Sequence, residues 1–370
     1  MPDCRRFDMV IEDLKAFEQY HFPFHRRKAR AEKTSSASSK RLETFQRECS
    51  SIQHVLYLRT HKTASTTLVN ILLRYGDSRN LSFVLHAKDP NLDWPHRFKL
   101  SHAFHFYGTR PNILYGHTRY NKEPMNYLFP KETSKYITTI RNPVEQFESL
   151  FNYFGLGKLY GFGGDPTESL EKFLKKGIEF KDMFKHRMSH LARNPMSFDL
   201  GLDYRFYLNI TAIKEYIAFL EKEFDLVMIS DYFDESVVLM KRLLCWKFDD
   251  ILYFKANKRI DKERAVDLSE DAKENIKRWN KADAFLYQHF NQTFWRKIQM
   301  EGEDFYNDLA TFRHKKAEIT RLCLTNDTSN KLLFPGSHKY VNVSHLKQNL
   351  SGETKQKCEA MTRFEYTYIE

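Results

Sequence analysis

At 370 residues the chain can bury a full core as one large or two small domains, and 15% aromatic residues with only 13 glycines exclude a disordered or fibrous protein. Its net charge of +11 has two readings, solvated basic tails or attraction of an anionic nucleotide or acidic glycan; no nucleic-acid partner is expected. The five cysteines show no Cys-x-x-Cys spacing, which speaks against zinc. Six Asn-x-Ser/Thr sequons, at Asn80, Asn209, Asn291, Asn326, Asn342 and Asn349, favour a secretory lumen. Against this, no run of about 18 apolar residues and no apolar signal core occur, so either an anchor is missing from the chain as given or the sequons are decoys.

Residues 1–50 divide into a short amphipathic helix, Val10 to Tyr20, and a Ser-rich stretch holding Arg26, Arg27, Lys28, Arg30, Lys33, Lys40 and Arg41, which together read as a stem or linker. A β-type run, Val55 to Leu58, then passes through a polar turn into a segment with apolar residues at Leu68, Ile71, Leu72 and Tyr75, a helical spacing. A loop entering a helix aims unpaired N–H groups outward at the positive end of the dipole, and here Lys62, Thr63, Ser65, Thr66 and Thr67 crowd that turn. This reads as a phosphate cradle. It contains no glycine, which disfavours the nucleotide-triphosphatase loop Gly-x-x-x-x-Gly-Lys-Ser/Thr and with it kinase chemistry. The run Lys62-Thr63-Ala64-Ser65-Thr66, with Arg59 three residues ahead, resembles the 5′-phosphosulfate loop of sulfotransferases. It is especially similar to that of the Golgi galactose 3-O-sulfotransferases, and more distantly to that of heparan sulfate 2-O-sulfotransferase. The resemblance implies 3′-phosphoadenosine 5′-phosphosulfate (PAPS) as donor, held by Arg59, Lys62, Thr63, Ala64, Ser65, Thr66 and Thr67.

Leu81 to Leu85 can form a second strand, and Trp94 to Tyr107 has no clear periodicity. Asn112 to Tyr115 reads as a strand stopping at Gly116-His117, the strand end at which ligands sit in an open α/β sheet. By itself such a histidine is equally a plain surface residue. Gly116-His117-Thr118-Arg119-Tyr120-Asn121 resembles a run in the galactose sulfotransferases, and the Gly-His resembles the one carrying the base in the 2-O enzyme. This implies His117 as base, His61 as its reserve, and Arg119, Tyr120 and Asn121 as substrate contacts. Tyr136 to Ile140 is a further strand ending in Arg141-Asn142-Pro143, and Pro143 suits the first position of a helix with Phe147, Leu150, Phe151 and Phe154 buried. That leaves Ser149 on another face. Arg141 and Ser149 can bracket one phosphate, and Arg-Asn-Pro with Ser at plus eight is similar to the 3′-phosphate site of sulfotransferases.

Five glycines between Gly155 and Gly164, with Tyr160 and Phe162, read either as a long turn or as an aromatic lip over the acceptor. Helices are expected over Ser169 to Lys176, Ala212 to Phe224 and Asp234 to Trp246, a strand over Leu226 to Ile229, and one long helical region beginning at a Ser269 cap. Asp231 to Ser236, Leu243 to Trp246, Leu252 to Asn257 and Phe290 to Trp295 also resemble the galactose 3-O family. The resemblance thus covers about residues 50–325, leaving 326–370 as an unmatched tail. Cys323 and Cys358 flank that tail and form the expected disulfide, whereas Cys245, in a Leu-Leu-Cys-Trp run, reads as core.

The expectation is a three-layer α/β fold, P-loop-like, with a central, mainly parallel sheet and a sulfotransferase site on its carboxyl edge, over residues 51–325. The resemblance implies transfer from PAPS to the 3-hydroxyl of a terminal β-galactose on a glycolipid or glycoprotein, in the Golgi, by a protein whose family carries a type II anchor. Lys62 would stabilise the leaving charge without a metal, and the neutral imidazole of His117 would take the hydroxyl proton. The alternatives are a sulfotransferase for another glycan hydroxyl, 2-O included, or a nucleotide-binding scaffold without transfer.

Overall fold

Residues that favour strands here are apolar on both sides, and that pattern decides the architecture. Val55, Leu56, Tyr57 and Leu58 have no exposed surface, nor does Ile113 or Leu114. Strands buried on both faces belong to parallel sheets covered by helices. The computed structural model describes residues 49–85, 91–103, 109–177, 186–254, 268–325, 331–333, 340–342, 345–363 and 365. The stem with its Val10 to Tyr20 helix, and the Lys255 to Asn257 part of one family-like run, lie outside them.

In chain order the elements are β1 (Val55–Leu58), α1 (Ser65–Asp77), β2 (Ile113–Leu114), α2 (Lys122–Leu128), β3 (Lys135–Ile140), α3 (Pro143–Tyr153), α4 (Pro166–Lys176), α5 (Pro195–Asp199), α6 (Ile210–Glu223) and β4 (Leu226–Ile229). They continue with α7 (Phe233–Leu244), α8 (Glu270–Trp279), α9 (Lys281–Glu301), α10 (Glu303–Cys323), the hairpin β5 (Lys331–Leu333) and β6 (Tyr340–Asn342), and α11 (Gly352–Thr362). The central sheet has the order β2-β1-β3-β4 with every pairing parallel. The expected mixed α/β fold is therefore present, with a fully parallel sheet. Leu81 to Leu85 supplies only an isolated bridge, Phe83 to Ile113.

Chain order reverses at β1, whose neighbours β2 and β3 lie on opposite sides, so the carboxyl ends of β1 and β3 frame the crevice where ligands bind in such sheets. One cluster packs the helices onto this sheet, and a second, built from Trp94, Phe147, Phe151, Phe173, Phe198 and Ile276, lies against α3 and α4. Because α3 is packed on both sides, Ser149 is itself buried, at 4% exposure, along with the expected stripe at Phe147, Leu150 and Phe151. Tyr160 and Phe162 pack on Phe173 with ring centroids 5.7 and 5.8 Å apart. The glycine-rich stretch thus folds onto α4, and it contains a single helical turn over Leu156–Leu159.

Two expectations are corrected. The helical region after Ser269 is two helices, because Asn280 leaves the helix to accept a hydrogen bond from the Asn194 N–H at 2.7 Å. Cys245 is paired with Cys49, in addition to the expected Cys323–Cys358 bridge. The described residues beyond 326 fall in the same compact unit as the sheet: Cys358 is fully buried, and Asn70 on α1 donates to the carbonyls of Ala360 and Arg363. Among the described residues no helix is long and apolar enough to cross a membrane.

Candidate active site

The loop between β1 and α1 is built without glycine, yet two of its residues take the left-handed conformation, Lys62 and Ala64, each at φ 61°. A non-glycine residue there costs on the order of 1 to 3 kcal/mol, which surrounding contacts must hold in place. The contacts are visible. Thr60 Oγ1 donates to the Thr139 carbonyl and lies 2.8 Å from Thr63 Oγ1, and Gln146 Nε2 donates to the His61 carbonyl at 2.8 Å. Ala64 is the N-cap of α1 and offers no side-chain cap; the Thr67 N–H turns to the Ala64 carbonyl at 3.2 Å, while no side chain caps the N–H groups of Ser65 and Thr66. Ala64 is exposed and Lys62 and Thr66 half-buried, whereas Thr63, Ser65 and Thr67 are buried. Lys62 Nζ sits 3.7 Å from the centre of the Tyr153 ring.

Arg59 is buried, with Nε donating to Ser65 Oγ at 3.2 Å and Nη1 to Glu365 at 2.6 Å. Neighbouring strand ends bring the other expected residues to the same edge. His117 follows β2, His61 and Lys62 follow β1, and Arg141 follows β3. Arg141 pairs with Glu145 at 2.7 Å on the first turn of α3, the helix that carries Ser149.

The two candidate bases are stacked, His61 on His117, with ring centroids 4.1 Å apart. Burial, then the charges of His61 and Arg59, hold His117 well below the ordinary imidazole range, with a backbone hydrogen bond to Arg59 acting the other way. Its Nδ1 is buried without a hydrogen-bond partner. His61 differs: its backbone N–H (2.9 Å) and its Nδ1 (2.7 Å) both meet Oδ2 of Asp199, a fully buried side chain at the end of α5.

The three expected substrate contacts are engaged by the protein itself. Arg119 donates to the carbonyls of Phe198 and Leu202, buried Tyr120 donates to Glu223 at 2.6 Å, and Asn121, at the N-cap position of α2, donates to the Phe98 carbonyl and leaves the helix without a side-chain cap. They fasten the post-β2 segment to α5 and α6. Sequence reasoning missed Asp199, Gln146, Tyr153 and Glu365. Only Gln146 and Tyr153 lay within a recognised motif, five and twelve residues beyond Arg141.

A parallel sheet with an uncapped helix, a lysine and an arginine at the strand ends beside its switch point is the form of an α/β enzyme for an anionic ligand. The family model for galactose-3-O-sulfotransferase matches residues 14–365, and the chain belongs to that family. It is 32% identical to the galactosylceramide sulfotransferase of Homo sapiens over 334 residues, 87% of this chain and 78% of that protein. To galactose-3-O-sulfotransferase 2 of Mus musculus it is 30% identical over 86% of this chain and 84% of the relative. Galactose-3-O-sulfotransferase 3 of the same species is 35% identical over 74% and 64%. The match reaches beyond 50–325 at both ends, so the segment set apart as an unmatched tail is family sequence.

Proposed function

We propose that the protein transfers the sulfuryl group of PAPS to the 3-hydroxyl of a terminal β-galactose on a glycolipid or glycan. The observation that carries this is the glycine-free loop at the switch point, with Lys62 and Ala64 in left-handed conformations ahead of an uncapped α1. Lys62 and the loop N–H groups would take the charge that develops on the leaving phosphate, and Arg141 with Ser149 would hold the 3′-phosphate. We assign the hydroxyl proton to His61 rather than His117, since His117 resists protonation and buries its free nitrogen, whereas His61 has a carboxylate behind it. A scaffold without transfer would have no use for that arrangement. Two disulfides and exposed sequons at Asn80, Asn209 and Asn349 support work in an oxidising lumen, the Golgi for this family.

The test is transfer of radiolabelled sulfate from PAPS to a panel of β-galactosides. A 6-deoxy-galactoside should be sulfated and a 3-deoxy-galactoside inert. The reverse result would refute the 3-O assignment, and inertness of every galactoside would refute galactose as acceptor.

A further inference from the structure

Asp199 lies 138 residues from His61 in sequence and has no exposed surface, yet every hydrogen bond made by its carboxylate oxygens points at the site. Oδ2 accepts from the His61 N–H at 2.9 Å and meets His61 Nδ1 at 2.7 Å, while Oδ1 accepts from the Trp94 indole at 2.9 Å. Trp94 in turn packs on the His61 ring at 4.7 Å. A carboxylate can only accept, so Nδ1 of a neutral His61 must carry the proton and Nε2 the lone pair. We infer that Asp199 is a positioning residue that fixes His61 in the Nδ1-protonated tautomer and thereby prepares Nε2 to receive the acceptor hydroxyl's proton.

The support for Asp199 extends outward. Helix α5 is pinned at its start by Asp283 on α9, which accepts from the N–H groups of Met196 (3.0 Å) and Ser197 (2.7 Å) and from the Ser197 hydroxyl (2.6 Å). At its end the Asp199 carbonyl accepts from the Tyr120 N–H at 2.8 Å. Among the described residues, the charges that act on His117 are those of His61, Arg59 and Arg187, with Lys62 beside His61 in the loop and a second carboxylate, Glu365, paired to Arg59. The Asp199 carboxylate therefore offsets the positive charge that His61 acquires when it takes a proton among cations. Along the reaction the sugar oxygen bonds to sulfur, the bond from sulfur to the bridging phosphate oxygen breaks with its electron pair staying on that oxygen, and the hydroxyl proton passes to Nε2. This inference rests on the sulfuryl-transfer reading.

The experiment is a double-mutant cycle on the full chain with a galactoside that the wild type sulfates. Asp199→Asn should lower kcat on the order of 10² to 10⁴-fold, because the negative charge behind His61 is lost and no orientation of the amide can accept from the His61 N–H, from Nδ1–H and from the Trp94 indole together. Affinity for 3′-phosphoadenosine 5′-phosphate should be unchanged, and the pH at which the rate rises should move down once the carboxylate is gone. His61→Ala combined with Asp199→Asn should be no slower than His61→Ala alone, since Asp199 acts only through His61. Multiplicative losses in the double variant, or a kcat within about threefold of wild type in Asp199→Asn, would overturn the assignment while leaving transfer itself intact. Should Asp199→Asn not fold, nitrogen-15 NMR of His61 in the wild type decides the same question. Protonation at Nδ1 in the neutral ring is expected, and protonation at Nε2 would overturn the inference. A wild type that transfers to no acceptor would instead fail the functional reading.

Discussion

Replacing Asp283 by Asn separates the electrostatics of the α5 anchor from its hydrogen bonds. Burial pushes the Asp283 carboxyl up from 3.8 to about 7, the hydrogen bonds from Ser197 and Met196 pull it down, and the charge of Asp199 adds to the rise. Between about pH 4 and 7 the folded chain thus holds a proton that the unfolded chain has released, so this stabilisation is complete below the unfolded value and is lost as pH rises through 7. At 1.36 kcal/mol per pH unit, about 2 kcal/mol disappears between about pH 5.5 and 7. The Asn variant has no proton to exchange; it pays a constant cost of about 1 kcal/mol for one mismatched donor. Urea unfolding of both proteins at about pH 5.5 and about pH 7.5 should show the difference between them moving about 2 kcal/mol in the variant's favour at the higher pH. His117, held neutral by burial, contributes the opposite slope below its unfolded value near 6.5, but it does so in both proteins and cancels. A difference that is the same at both pH values would refute the reasoning.

Lys62→Ala should remove more than about nine-tenths of transfer while leaving the melting temperature in place, because the loop's hydrogen bonds come from Thr60 and Gln146. Assay of turnover beside a thermal melt checks both halves. Arg141→Ala should weaken binding of 3′-phosphoadenosine 5′-phosphate by about 1.5 to 3 kcal/mol in titration calorimetry; an unchanged affinity would place the 3′-phosphate elsewhere. Gly201 has φ +96°, and a Cβ there would lie 2.8 Å from both the Tyr120 carbonyl and the Tyr216 hydroxyl. Gly201→Ala should therefore cost about 2 to 4 kcal/mol, read as a lower urea midpoint.

The strands and the donor loop were legible because their signals are local. A parallel strand buried on both faces writes itself as a continuous apolar run, and a proline at the first helical position marks the start of α3. Asp199 was not legible, since it ends Pro-Met-Ser-Phe-Asp, a five-residue helix without periodicity, and reaches His61 only through the fold. Cys245 looked like core because its neighbours are, whereas its partner Cys49 lies 196 residues away. Arg119, Tyr120 and Asn121 follow a recognisable Gly-His and so looked like sugar contacts; their side chains bind carbonyls and Glu223 instead.

The Cys323–Cys358 bridge sets a local concentration. Glu365 meets Arg59 at the end of an arm that starts at Cys358, whose own position is covalently tied to α10. If α11 undocks with the bridge intact, the arm spans only seven residues, and the carboxylate stays within about 25 Å of its root. With α11 undocked, reduction would move the root back to Cys323 and make the tether about sixfold longer, which would dilute Glu365 around Arg59 on the order of tenfold. In that undocked state the bridge between Cys323 and Cys358 would thus keep a carboxylate near the guanidinium of the donor loop.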